Sequence, residues 1–218
     1  MSGNSMGWDR SINHYLYTPS TNDLRFYKDP HSWVLIGPQA AQYIRGHLIK
    51  SFQDDHPEVL NLHEASGKHP FMLMRSMMPY LESVATLYEP DKNDVDRVVF
   101  FIKKYFSEIY HPVAREFYSI YRNGLMHRHF PKCDLFDLGG DLLLAGWEIT
   151  ADRQRHLKTE QFNFPIEDDP NGREGLLIPV CPRCFYDDLL LAMGKYADEL
   201  EKDNQLVNNF LKGFRSKS

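Results

Sequence analysis

The sequence predicts a mainly α protein, an antiparallel helical bundle with a small β excursion, and three observations indicate it. Between residues 38 and 129, apolar side chains recur at helical spacing in four successive segments. From about 138 to 180, glycine-containing turns separate short segments with strand character. After Pro182 the helical spacing returns, and the connections between helices are short enough for antiparallel neighbours. We therefore expect one domain over 38–218 behind an irregular N-terminal arm over 1–37.

Proline and glycine set the expected limits of the four helices in the first half. Gly37-Pro38 opens the first helix, because proline is favoured at the first helical position. A polar loop is expected from Asp54 to Lys68, and the second helix opens at Pro70 with a methionine-rich face typical of adaptable core. The third helix carries its apolar face from Val95 to Ile109. The fourth runs from Pro112 to about His129, because the residue before each proline avoids the helical region.

Three segments of the second half have strand character. They are Leu142–Thr150, His156–Phe164 and Leu176–Val180, and Asp169-Pro170-Asn171-Gly172 is a turn signal between the last two. We expect a small antiparallel sheet or hairpin there. A long helix should follow Pro182, with its apolar spacing continuing to the end of the chain.

Composition excludes several classes of protein. The net charge of −5 and sequence pI of about 6.0 argue against a dedicated duplex-DNA binder, whose affinity depends on many phosphate contacts. Three cysteines are too few for a disulfide framework. No apolar run approaches the roughly 18 residues of a membrane span, and the N-terminus has no signal-peptide pattern. A cytoplasmic protein without a membrane partner is therefore expected.

The hexapeptide Arg122-Asn123-Gly124-Leu125-Met126-His127 is the strongest candidate for chemistry. Arginine can hold a phosphate bidentately, and histidine can move a proton near neutral pH. On an ideal helix Asn123 and His127 share a face as an i,i+4 pair, whereas Arg122 projects about 140° away from His127. Gly124 costs about 1 kcal/mol in a helix interior, which suggests a kink or a close backbone approach there. Arginine and histidine can therefore meet in one site in three ways. The helix is kinked, the long Arg122 side chain extends around the helix, or a second subunit supplies the arginine.

The chain resembles the HEPN superfamily, whose signature is arginine, a polar residue, three further residues and histidine. The matching residues are Arg122, Asn123 and His127. The resemblance covers the motif, the bundle over about 38–130 and the C-terminal helix. It implies a homodimeric, metal-independent endoribonuclease without a cofactor, in a defence or toxin–antitoxin setting with an antitoxin or regulatory partner. His127 would be general base or acid, Arg122 would stabilise the transition state, and Asn123 would orient the phosphate or the imidazole. The products would carry 2′,3′-cyclic phosphate and 5′-hydroxyl ends.

Two alternatives to catalysis stay open. A HEPN-like module that has lost activity would bind a nucleotide, RNA or a protein in the motif cleft. In a purely structural role Arg122 would pair with an acidic neighbour, and His127 would bond a carbonyl at the helix end, where a cation offsets the dipole. The same choice applies to the residues that follow the motif. These residues, Arg128, His129 and Lys132, would bind flanking phosphates or form a solvated helix end.

The cysteines offer a further site. Cys181-Pro182-Arg183-Cys184 is a CxxC, which with Cys133, His129 or His127 would make a zinc site. A CxxC that opens a helix can also be redox-active, although no thioredoxin-like alternation surrounds this one. The third interpretation is two small buried or half-buried thiols.

The remaining polar clusters are expected to be exposed. His56, His63 and His69 have no spacing that matches a metal-ligand signature, so we expect surface residues. The basic stretch Arg153–Lys158 is either an exposed charged hairpin or a strip that contacts RNA.

Overall fold

The structure is a computed structural model. It describes residues 8–9, 14–15, 37–68, 70–123, 134–138, 141–166 and 169–215. Within these ranges the chain is mainly helical and carries a four-stranded sheet, which confirms the predicted mainly α class with a small sheet. The described part of the N-terminal arm is an antiparallel pair of two-residue strands, β1 (Trp8–Asp9) and β2 (His14–Tyr15).

The first predicted helix forms three consecutive segments. α1 (Gly37–Tyr43) passes into a π-helical segment (Ile44–Ile49) and then into α2 (Lys50–Asp55). The start at Gly37 agrees with the prediction. A β-carbon at this position would collide with the Leu200 carbonyl, so the close packing there requires glycine.

The prediction of a loop from Asp54 to Lys68 was wrong, because α3 (Pro57–Ser66) occupies most of that segment. Proline at the first position starts α3, and Gly67 ends it in the left-handed conformation with φ of 68°. Only Leu60 and His63 of α3 are buried, so its polar sequence hides the helical pattern.

The second and third predicted helices are α4 (Pro70–Tyr88) and α5 (Asp94–Tyr105). The methionine face of α4 lies in the core, with Met74, Met77 and Met78 fully buried. Asn93 caps α5 by accepting the Asp96 backbone N–H. The predicted apolar face extended to Ile109, which was wrong: Ile109 lies beyond the end of α5 and is 40% exposed.

The fourth predicted helix changes type twice over its described length. A 3₁₀ helix (Glu108–Val113) spans the predicted boundary, α6 (Ala114–Tyr118) follows, and a second π-helical segment (Ser119–Asn123) continues from it. The predicted end near His129 lies outside the described residues.

The sheet contains β3 (Asp134–Leu138), β4 (Asp141–Ile149), β5 (Glu160–Ile166) and β6 (Asp169–Val180), in the order β3-β4-β6-β5. β3–β4 and β5–β6 are antiparallel, whereas β4 and β6 are parallel. The prediction of an antiparallel sheet was therefore wrong in part, because two hairpins join through a central parallel pair. The turn predicted at residues 169–172 lies within β6 instead.

Two C-terminal helices complete the bundle. α7 (Pro182–Leu200) begins at the predicted proline, and α8 (Asn204–Arg215) follows a turn at 201–203 that interrupts the expected continuous helix. Both helices pack against α4. Among the described helices, none is long and apolar enough to cross a membrane.

The core is rich in aromatic rings, and its buried tyrosines keep hydrogen-bond partners. A buried hydroxyl without a partner is costly, so these bonds fix the packing of the helices. The hydroxyl groups of five such tyrosines, Tyr105, Tyr110, Tyr118, Tyr121 and Tyr196, each donate to a carboxylate or a backbone carbonyl.

Candidate functional site

Arg122 lies at the end of the second π-helical segment and is held by α4. Its Nε donates to Glu82 Oε1 at 2.7 Å, and the Tyr118 hydroxyl donates to the same oxygen at 2.8 Å. The side chains of Arg122 and Glu82 are 26% and 27% exposed. The motif arginine is therefore oriented by two helices and remains partly accessible to solvent.

Local sequence explains this cluster. Tyr118 and Arg122 are four positions apart, so they project from the same side of the helix toward the one carboxylate. The hydrogen bond with Glu82 raises the pKa of Arg122, and burial raises the pKa of Tyr118. A charged guanidinium and a neutral phenol thus bind one carboxylate oxygen.

A π-helical segment carries the first two residues of the motif, Arg122 and Asn123. In a π-helix each N–H bonds the carbonyl five residues back, one residue further than in an α-helix. Five positions separate Arg122 from His127. The described π-helical segment ends at Asn123, and π-helical turns occur frequently at functional sites.

The other predicted site residues are not placed by the structure. The backbone of Asn123 ends the π-helical segment, but its side chain is not described. His127, Arg128, His129 and Lys132 lie outside the described residues. Arg122 does pair with an acidic neighbour, which is the contact that the structural alternative for the motif expects.

A second polar cluster lies under the start of α7. The backbone N–H of Cys181 donates to His156 Nδ1 at 3.0 Å, so the ring proton is on Nε2, which donates to the Tyr110 hydroxyl at 2.8 Å. That hydroxyl donates to Asp188 Oδ2 at 2.9 Å. Burial lowers the pKa of His156 to about 4 and raises that of Asp188. The imidazole is neutral at pH 7 and links the sheet to two helices.

The described residues give no support to the zinc alternative. Within the described ranges, no group of three or more His, Cys, Asp or Glu side chains is arranged to hold a metal ion. Cys181 and Cys184 are free thiols, and Cys133 lies outside the described residues.

The prediction that the histidines of the 54–68 segment are surface residues was wrong for two of them. His56 and His63 are both buried. His56 Nδ1 donates to the Phe52 carbonyl at 2.8 Å, and its Nε2 is hydrogen-bonded to the Ser76 hydroxyl at 3.0 Å. His69 lies outside the described residues.

The basic stretch Arg153–Lys158 is largely neutralised by carboxylates. Arg155 is bonded to Glu148 at 2.7 Å and to Glu160 at 3.0 Å, and Arg153 is paired with Glu64 and Asp187. His156 is buried. The stretch therefore stabilises the sheet and offers little positive field to a phosphate backbone.

Sequence reasoning missed Glu82 and Tyr118 as partners of the motif arginine. Glu82 is 40 residues from Arg122, and no local pattern marks it. Tyr118 could have been found, because its i,i+4 spacing places it beside the arginine. Comparison of the chain with protein-family models, curated proteins and solved structures gave no match.

Proposed function

We propose that the protein is a metal-independent endoribonuclease of the HEPN type. The observation that carries the proposal is the Arg122 guanidinium, which Glu82 holds at the end of a π-helical segment. An oriented arginine at a partly exposed position is suited to the charge that gathers on a phosphate during transfer.

In the proposed reaction the ribose 2′-hydroxyl attacks the adjacent phosphorus, and His127 exchanges protons with that hydroxyl or with the 5′-oxygen that leaves. Arg122 stabilises the charged transition state, while Asn123 orients the phosphate or the imidazole. The products are a 2′,3′-cyclic phosphate and a 5′-hydroxyl, so DNA, which lacks the 2′-hydroxyl, is not cut.

The proposal extends to the surroundings of the motif. Arg128, His129 and Lys132 would contact flanking phosphates, and a homodimer would bring two motifs into one cleft. The setting would be defence or a toxin–antitoxin pair, with a regulatory protein as partner. These elements rest on the resemblance of the motif to the HEPN signature.

One observation favours the alternative of a non-catalytic module that binds a nucleotide, RNA or a protein. The charge of Arg122 is already compensated by Glu82 at 2.7 Å, and a phosphate would have to compete with this carboxylate. A protein that uses the pair only to join two helices would retain its fold without cleaving RNA.

The test compares cleavage of labelled RNA in excess EDTA by the wild type and two pairs of variants. His127→Ala should lower the rate about 10²–10⁴-fold, as expected for loss of a general acid or base. Arg122→Ala should lower it about 10²–10³-fold. The matched control for His127→Ala is His111→Ala, and the matched control for Arg122→Ala is Arg115→Ala. Arg115 lies on the same helix and forms an exposed ion pair with Asp96 at 2.6 Å.

The outcomes separate the two functions. Cleavage that survives EDTA and both control substitutions, but not the motif substitutions, supports the ribonuclease. RNA binding by fluorescence anisotropy without cleavage in any variant supports the binding module. Cleavage that is equal in wild type and His127→Ala would contradict the proposed site.

A further inference from the structure

Cys181 and Cys184 are placed as a contacting pair at the junction of the sheet and the bundle. Cys181 follows the last residue of β6 and caps the N-terminus of α7, and Cys184 lies in the first turn of that helix. The side chain of Cys184 lies close enough to that of Cys181 to interact with it. The two sulfur atoms are therefore neighbours in the reduced protein.

The backbone at this point is compatible with a disulfide. Cys181 is extended, with φ of −91° and ψ of 114°, while Cys184 is helical. Residues three apart at a helix terminus have Cα atoms about 5 Å apart, which lies within the range of about 4.4–6.8 Å found for disulfides. Pro182 fixes the backbone at the first helical position, between the two cysteines.

The two thiols differ in accessibility. Cys181 is 2% exposed and lies against the core, whereas Cys184 is half-buried. Burial raises the pKa of the Cys184 thiol, and the guanidinium of Arg153 offsets a small part of that effect. One thiol can thus be reached from solvent, and the other is held behind it.

The surroundings hold the backbone in place while the sulfur atoms react. The N–H of Cys181 is bonded to the neutral imidazole of His156, which is fixed in turn by Tyr110 and Asp188. None of these bonds uses a sulfur atom. Oxidation would leave this network intact and change only the positions of the two side chains.

We propose that Cys181 and Cys184 form a redox-active pair, oxidised reversibly to an intramolecular disulfide by low-molecular-weight disulfides. The Cys184 thiolate attacks the small disulfide and releases one thiolate, and a mixed disulfide forms at Cys184. The Cys181 thiolate then attacks the Cys184 sulfur and releases the second thiolate. The protein loses two protons and two electrons, and the small disulfide gains them as two thiols.

The environment also sets the speed of this exchange. Burial raises the pKa of Cys184 to about 12. The thiolate is the attacking species, so oxidation should be slow at neutral pH and should accelerate as pH rises. The pair is therefore suited to a slow response to the redox state rather than to rapid catalysis of exchange. It is independent of the proposed ribonuclease site.

The test uses the full chain with Cys133→Ser as background, so that only the pair remains. The protein is equilibrated with graded mixtures of reduced and oxidised glutathione, quenched with acid, alkylated and measured by mass spectrometry. We expect one intramolecular disulfide. The oxidised fraction should depend on the glutathione mixture as expected for a two-electron couple, and reduced glutathione should reverse the oxidation. Circular dichroism before and after confirms that the fold is retained.

Two further substitutions assign the roles of the sulfur atoms. Cys181→Ser should accumulate a glutathione mixed disulfide at Cys184, whereas Cys184→Ser should react at least tenfold more slowly because its remaining thiol is buried. A pair that stays reduced in every mixture would overturn the proposal. So would a disulfide between two molecules, or equal reaction rates of the two variants.

Discussion

The protonation of His156 should make the fold measurably less stable in mild acid. Its Nδ1 accepts the Cys181 N–H at 3.0 Å, so a proton there would break a buried hydrogen bond and place a charge in the core. Burial lowers the pKa of His156 to about 4, against about 6.5 in the unfolded chain. Because the folded pKa is the lower of the two, the unfolded state binds more protons, and stability falls as pH drops from about 6.5 toward 4.

The size of this effect follows from the two pKa values. Integration of the proton uptake of this one group gives a loss of about 2 kcal/mol in the free energy of unfolding between pH 7 and pH 5. Other groups also titrate: burial lowers the pKa of His47, which acts in the same direction, and raises that of Asp188, which acts in the opposite direction. The contribution of His156 must therefore be measured as a difference between two proteins.

The matched variant is His156→Asn, whose side-chain oxygen can still accept the Cys181 N–H but does not titrate. Urea unfolding of both proteins at pH 7 and pH 5 gives the free energies. The advantage of the wild type over the variant should shrink by about 2 kcal/mol at the lower pH. Stability curves of the two proteins that run parallel over this pH range would refute the reasoning that His156 is buried in its neutral form.

Five further substitutions test the packing and the candidate site. Gly213→Ala would push a β-carbon into a backbone carbonyl of α4 and should lower the free energy of unfolding by about 1–3 kcal/mol. In its control, Gly194→Ala, the added β-carbon meets nothing within 4 Å, so the substitution should stabilise α7 by about 0.5–1 kcal/mol in urea unfolding. Met77→Ala, in the core, should cost about 2–5 kcal/mol, while Met72→Ala on the same helix, 55% exposed, should change the melting temperature little. Glu82→Gln removes the negative charge that pairs with the motif arginine and should lower RNA cleavage about tenfold and stability by about 1 kcal/mol. Unchanged cleavage would show that the charge of this carboxylate does not position the arginine.

The sequence predicted the elements whose apolar spacing is regular. The start of α4 at Pro70 and of α7 at Pro182 follow from proline at the first helical position, and the buried methionine face of α4 follows from its period. α3 was missed because only Leu60 and His63 of its ten residues are buried, which leaves too weak a pattern to distinguish a helix from a loop.

The parts that could not be predicted depend on contacts between distant residues. Alternation identifies a strand but not the direction of its neighbour, so the parallel pairing of β4 with β6 had no signal. The π-helical segment that carries Arg122 and Asn123 was likewise not predicted from the sequence. For the candidate site, the residues Arg122 and Asn123 came from the motif, but the contact of Arg122 with Glu82 came only from the structure.

The chemical termini of the cleaved RNA distinguish the proposed mechanism from other routes of RNA cleavage. RNA is incubated in EDTA with the wild type and with His127→Ala purified in the same way, and the products are measured by mass spectrometry. The proposed mechanism predicts 2′,3′-cyclic phosphate and 5′-hydroxyl ends that appear with the wild type alone. Products with 3′-hydroxyl and 5′-phosphate ends, or the same products from His127→Ala, would contradict it.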